Sequence, residues 1–284
     1  ARPIVAGDPA LEAGEETLRE AVVALMSAFP AYRSYLDDGP PDPADLELWQ
    51  QTARDAARPL RNPAVLDRLV QAVTMAGSAP ERRFRTRVQQ TTGAVVAKSH
   101  EDTALFRYNR YLALCEVGCD PDEPALSPAG FADWATARGK DWPNAMVLTS
   151  THDTKRAEDA RTRLVALSHL PDDWAALWSL ASATMTDIAP NTRWYLAQSW
   201  LAIVEQGRAD VPDRLAAHME KALREAKEVT SPTHPDLAAE APVLAAARAL
   251  AREWEEPPEA ARRLIARADD LSLAQLAIKL MLPG

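Results

Sequence analysis

Eight consecutive polar residues, Thr149-Ser150-Thr151-His152-Asp153-Thr154-Lys155-Arg156, form the densest set of reactive side chains in the sequence. Hydroxyls, an imidazole and a carboxylate fall together with two cations. Cations beside a carboxylate favour its anionic form, and the imidazole and hydroxyls add directional hydrogen bonds, an inventory suited to a polyhydroxy ligand. The same spacing also suits a helix cap, with Asp153 or Thr154 satisfying free amides while Lys155 and Arg156 face solvent. A second group comprises Gln89-Gln90-Thr91-Thr92-Gly93, Lys98-Ser99-His100-Glu101-Asp102-Thr103 and then Phe106, Arg107, Tyr108, Asn109 and Arg110. Amides and carboxylates serve sugar hydroxyls, and flat rings serve the apolar sugar face. Read structurally instead, Ser99 or Asp102 is a cap and Phe106 with Arg110 lies on a helical stripe.

Other chemistries lack their residues. The five histidines, at 100, 152, 169, 218 and 234, show no zinc spacing with one another or with Cys115 and Cys119, so no metal site is expected. The 10 glycines are spread singly and form no phosphate-cradling loop. No Gly-x-Ser-x-Gly elbow is present, which leaves a serine hydrolase unsupported. Trp174, Trp178, Trp194 and Trp200 stand at or near helical spacing, as core packing requires. The four-residue spacing of Cys115 and Cys119 places both on one helical face as reduced thiols.

The elements that must position these residues are mostly helices. Alanine, the best helix former, makes up about a fifth of the 284 residues. Asp42-Pro43, Asn62-Pro63 and Ser127-Pro128 each read as a cap followed by proline in the first helical turn. A first helix is expected over 15–29, with Leu18, Val22, Leu25, Met26 and Phe29 on one stripe. Further helices are expected near 43–58, 63–76 ending at Gly77, 80–91, 103–116 and 128–138. Beyond residue 155 they follow at 155–168, 173–185, 192–205, 213–228, 238–254, 258–268 and 272–281. Two stretches read as buried strands: 94–98, with paired valines, and 145–150, apolar and bounded on both sides. The second would place His152 and Asp153 at its carboxyl end, ahead of a helix, which is one unit of an α/β barrel.

A net charge of −9 disfavours nucleic acid and anionic membrane surfaces as partners. No apolar run reaches membrane-spanning length and the first residues carry no signal pattern, so a cytoplasmic location is expected. The chain starts at Ala1 and stops just after an apolar helical run, so the sequence reads as an internal piece of a longer polypeptide.

These residues carry a family resemblance. The run 84–103, with Gln89-Gln90-Thr91-Thr92-Gly93 and Glu101-Asp102-Thr103, resembles a signature of the maltooligosyltrehalose synthase family, within the α-amylase superfamily (glycoside hydrolase family 13). Residues 29–33, 149–159, 221–231 and 272–284 resemble further family stretches in the same order, covering nearly all of the chain. Ala94, Ser99-His100, Ala157 and Pro232 depart from the family pattern.

The resemblance implies a mainly α chain: helical insertion regions plus one or two strands of an incomplete (β/α)8 barrel. It divides the chain into a helical insertion region (1–88), a barrel-derived segment with the His-Asp loop (89–170), a helical region (171–270) and a truncated barrel helix (271–284). It implies an intramolecular transglucosylase that converts the reducing-end α-1,4 bond of maltooligosaccharides into an α,α-1,1 trehalose linkage, with no cofactor. Asp153 then stabilises the transition state and His152 bonds the same sugar, while Lys155, Arg156, Gln90, Lys98, Glu101 and Asp102 contact substrate. The nucleophile and general acid of this superfamily lie on earlier strands, so the implied partners are the oligosaccharide and a missing amino-terminal part of the same polypeptide. The alternative class is a non-catalytic helical scaffold that binds glucan or a protein, although no internal repeat supports it.

Overall fold

A computed structural model describes residues 2–6, 11, 13–205 and 207–282. The chain forms two compact units, Ala1–His100 and Glu101–Gly284. Helix dominates both, and no strand occurs among the described residues. No helix among them is long and apolar enough to cross a membrane.

The first unit contains α1 (Arg2–Val5), α2 (Glu15–Ala28), α3 (Pro43–Ala57), α4 (Leu66–Thr74) and most of a long run that begins with α5 (Ala79–Val96). Local signals set the starts. Asp42 accepts the Ala44 amide at 2.8 Å with Pro43 in the first turn, and Ser78 and Glu81 form a reciprocal capping box. Asn62 accepts the Ala64 amide at 3.2 Å, but the helix behind it begins only at Leu66 and ends at Thr74, before Gly77. Leu18, Ala21, Leu25 and Phe29 bury the inner stripe of α2, and Phe29 stacks on the fully buried Trp49 with ring centres 4.5 Å apart.

The valines of 94–98 do not form the expected strand. α5 runs through Val96 and continues as a π-helix, Ala97–Ala104, before closing as α6 (Leu105–Arg107). Helical bonding satisfies these backbone groups within the segment, whereas a strand would need a ladder partner that the described residues do not offer. The boundary between the two units falls inside this π-helical stretch.

The second unit adds a 3₁₀ turn (Leu112–Leu114), α7 (Pro128–Asp141), α8 (Glu158–His169), α9 (Pro171–Thr184), α10 (Pro190–Ile203), α11 (Val211–Ala226), α12 (Leu237–Glu253) and α13 (Glu259–Met281). α10 is its centre. Tyr195 through Ala202 are all buried, with neighbours in α8, α9, α11 and α12, the signature of a helix enclosed on every side. Trp194 receives the edges of Trp174 and Trp178 at 5.0 and 4.9 Å, and Trp200 meets Trp254 at 4.7 Å, so tryptophan spacing does reflect packing. The segments expected at 258–268 and 272–281 are one helix, α13, since no breaker lies between them.

Residues 103–116 are not one helix. Gln198 accepts the Leu112 amide and donates to the Asn109 carbonyl, both at 2.9 Å, so α10 takes the backbone bonds that helix continuation would use. Cys115 and Cys119 therefore share no helical face; neither is in a disulfide, and Cys115 is buried, which pushes its thiol up to about 11.

Residues 145–150 are irregular rather than a buried strand. Met146 and Leu148 point outward, 78% and 57% exposed, between the partly buried Ala145 and Val147. This two-residue alternation is strand-like, but no neighbouring strand among the described residues supplies the ladder.

Candidate functional site

The polar run at 149–156 folds as a tight loop in the second unit, and one missed residue anchors it. The buried Glu116 carboxylate accepts three backbone amides: Val117 at 2.9 Å, Lys155 at 2.5 Å and Arg156 at 3.0 Å. Thr154 closes the turn through its hydroxyl, which donates to the Thr151 carbonyl at 2.8 Å. The Ser150 hydroxyl accepts the Glu158 amide at 3.0 Å. Ser150 thus serves the start of α8, and neither Asp153 nor Thr154 has the capping role that the spacing allowed.

His152 and Asp153 stand at the apex, with side chains 90% and 73% exposed and Nε2 3.2 Å from Oδ2. Beneath them the two cations are fixed. Lys155 Nζ meets Asp102 Oδ1 at 2.5 Å and lies 6.0 Å from the centre of the Phe106 ring. Arg156 donates to the Cys115 carbonyl at 3.0 Å and to the Tyr195 hydroxyl at 3.3 Å. The Tyr195 hydroxyl in turn lies 3.3 Å from His218 Nε2, and burial pushes the phenol up to about 12. Glu101 is buried, and its pKa is raised first by desolvation; Lys155 opposes the rise, while Asp102, Asp153 and Glu116 add to it.

The structure therefore gathers Glu101, Asp102, Lys155 and Arg156 beneath the loop that carries His152 and Asp153. A solvent-facing His-Asp pair above a rigid, charged base can hydrogen-bond sugar hydroxyls and place a negative charge beside a developing cation. Gln90 and Lys98 belong to the first unit, exposed on α5 and on the π-helical segment. In that motif the neighbouring Gln89 is buried: it accepts the Ser34 hydroxyl at 3.0 Å and the Leu36 amide at 2.7 Å and donates to the Leu36 carbonyl at 3.0 Å. No group of three or more His, Cys, Asp or Glu side chains among the described residues is arranged to hold a metal ion.

Glu116 gives a direct test of how the loop is held. In Glu116→Gln one carboxylate oxygen becomes an amide that cannot accept the N–H groups facing it. Losing one or two charge-assisted bonds should cost about 2–3 kcal/mol and leave a buried donor unpaired. Thermal unfolding should shift downward, and trypsin should cut after Lys155 and Arg156 faster than in the parent chain. Unchanged melting together with unchanged cleavage would show that Glu116 does not anchor the loop.

The fold is similar to one part of solved structures named maltooligosyl trehalose synthase. No protein-family model matches the chain. Two Mycobacterium tuberculosis proteins named maltooligosyl trehalose synthase are each 37% identical to it over 176 residues, covering 61% of this chain and 22% of theirs. The structure of maltooligosyltrehalose synthase from Arthrobacter ramosus superimposes with a TM-score of 0.75 and 29% identity, over 96% of this chain and 34% of that one. A hypothetical maltooligosyl trehalose synthase from Sulfolobus tokodaii gives 0.75 and 25%, over 95% and 37%. The chain is thus homologous to a segment of these synthases, and it spans about a fifth of the length of the curated relatives it matches.

Proposed function

We propose that this chain supplies the part of a maltooligosyltrehalose synthase that receives the reacting sugar at the His152-Asp153 loop. The observation that carries this reading is the structural match to the Arthrobacter ramosus enzyme over 96% of the chain. In the proposed reaction, a nucleophilic carboxylate outside this chain displaces the terminal reducing-end glucose, breaking its α-1,4 bond and forming a glycosyl-enzyme. A general acid protonates the departing oxygen. The released glucose turns in its pocket, and its anomeric hydroxyl attacks the glycosyl-enzyme, giving the α,α-1,1 bond and returning the nucleophile. Asp153 holds the sugar hydroxyls and offsets positive charge at the anomeric carbon, and His152 bonds the same sugar. Excluding water keeps the intermediate from hydrolysis.

In that assembly, residues 145–150 would take a strand position beside barrel strands supplied by the rest of the polypeptide, as their alternating exposure supports. Lys155, Arg156, Glu101 and Asp102, with Gln90 and Lys98, would shape the substrate path. The chemistry uses sugar hydroxyls and carboxylates alone, so the proposal requires no cofactor, and a cytoplasmic setting would supply its glucan substrate.

The test joins this chain to the amino-terminal part of such a synthase and supplies maltopentaose. Reducing ends should disappear while the total number of glucose units per molecule stays constant, and the product should carry a terminal trehalose. A steady rise of reducing ends with no trehalose-terminated product would replace the isomerase reading with a hydrolase.

A further inference from the structure

A cleft of about 430 Å³ opens in the second unit between the Lys155–Arg156 turn, α8, the end of α10 and α11. Its charges do not balance. Lys155, Arg156, Arg163 and Arg214 line it against Asp159 and Glu205. Lys155 is ion-paired with Asp102, and Glu205 shares Arg208 with Asp210. Among the lining side chains four cations stand against two carboxylates, an excess of two positive charges.

Their donors are only partly used. Arg163 gives one nitrogen to the Val204 carbonyl, and the exposed Arg214 side chain makes no hydrogen bond or ion pair among the described residues, although the Asp210 carboxylate, bonded to Arg208, lies near enough to feel its charge. At the wall of the cleft stands the buried Ser199, whose Oγ has no hydrogen-bond partner of good geometry among the described residues, the Tyr195 hydroxyl on the same helix being its nearest polar neighbour to bond with. A buried hydroxyl without a partner is a cost that a ligand oxygen would relieve.

We propose that this cleft binds a phosphoryl dianion, as inorganic phosphate or as the phosphate of a hexose phosphate, between Arg163, Arg214 and Ser199. A dianion matches the excess of two charges, and its tetrahedral oxygens accept from donors that arrive from different helices. A neutral sugar would leave the guanidinium groups uncompensated. The cleft also has room beyond a bare phosphate. His218 lines the same cleft, where burial first and then the Arg156 and Lys221 charges hold its imidazole down at about 4. This assignment stands on the second unit alone and does not depend on the proposed synthase activity.

The experiment titrates the 284-residue chain with inorganic phosphate, glucose 6-phosphate and glucose at constant ionic strength, followed by calorimetry and by the His218 imidazole resonances. Phosphate should bind saturably at one site, and it should raise the pH at which His218 protonates, because a nearby dianion stabilises the imidazolium. Arg214→Gln should weaken binding about tenfold through loss of one charge-assisted contact. Ser199→Ala should weaken it severalfold while leaving the melting temperature of the unliganded chain unchanged or higher, which separates a ligand contact from a folding defect. Tighter binding of glucose 6-phosphate than of phosphate identifies a sugar phosphate as the ligand, and equal binding identifies free phosphate. Absence of saturable binding by both phosphates, equal binding by glucose alone, or affinities unchanged in both variants would overturn the proposal.

Discussion

Asp153→Asn, introduced into a synthase assembled with this chain, is expected to lower kcat about a hundredfold or more with little change in KM, a loss of about 3 kcal/mol of transition-state stabilisation. The structure explains why the effect should fall on turnover rather than on folding. The Asp153 side chain is 73% exposed and its one polar contact among the described residues is His152 at 3.2 Å, so no buried hydrogen bond depends on it. The loop that carries it is held from below by Glu116, Ser150 and Thr154, which the substitution does not touch. Asn keeps the size and one acceptor oxygen but removes the negative charge. Ground-state sugar hydroxyls accept that exchange with small loss, whereas an anomeric carbon gaining oxocarbenium character does not. Steady-state kinetics on maltopentaose, with the melting temperature as a control for folding, separate the two. Turnover within a few fold of the parent enzyme would remove Asp153 from the mechanism.

Local signals in the sequence were sufficient wherever structure is decided locally. Asp42-Pro43 and Ser127-Pro128 start helices as their cap chemistry requires, and the stripe from Leu18 to Phe29 faces the core. What stayed hidden was decided by distant partners. Nothing in the run 103–116 announces that Gln198, far along the chain, will take its backbone bonds and end the helix after three residues. The valines at 95 and 96 carry β propensity, but helical bonding to their own neighbours prevails where no strand among the described residues is available to pair with. Residues 145–150 keep the alternation of a strand without its ladder, for the same reason.

The candidate site divides in the same way. Its chemistry-bearing residues, His152, Asp153, Lys155 and Arg156, were readable as a cluster, and Glu101 and Asp102 were readable as carboxylates near a shared motif. Their support was not. Glu116 is a carboxylate flanked by Cys115 and Val117 in a stretch that reads as the end of a helix, and an acidic residue among apolar neighbours was the one available sign. Its role depends on two amides about forty positions away, which no local pattern contains. Gln89 and Gln90 show the converse: adjacent amides in one motif, one buried as a clamp on Ser34 and Leu36 and the other exposed.

The 284-residue chain by itself is expected neither to isomerise nor to hydrolyse maltooligosaccharides. Retaining chemistry needs two carboxyl groups about 5 Å apart across the scissile bond, one ionised as nucleophile and one protonated as acid. In the proposed role Asp153 assists that displacement, but one carboxylate cannot be both nucleophile and acid in one step, and the carboxylates near it are otherwise engaged. Glu116 is spent on three backbone amides, Asp102 is ion-paired with Lys155, and Glu101 is buried beneath the loop with its pKa raised by desolvation. The isolated chain should also self-associate, because Leu273, Leu276, Ile278, Leu280 and Met281 leave an apolar stretch of α13 exposed. Size-exclusion chromatography checks the association, and incubation with maltopentaose, followed by reducing ends, checks the chemistry: isomerisation removes them and hydrolysis creates them. A trehalose-terminated product whose formation stops in Asp153→Asn would mean that the nucleophile and acid lie within this chain after all. Glu101, whose pKa is raised by desolvation, and Asp102 would then be the first candidates to examine.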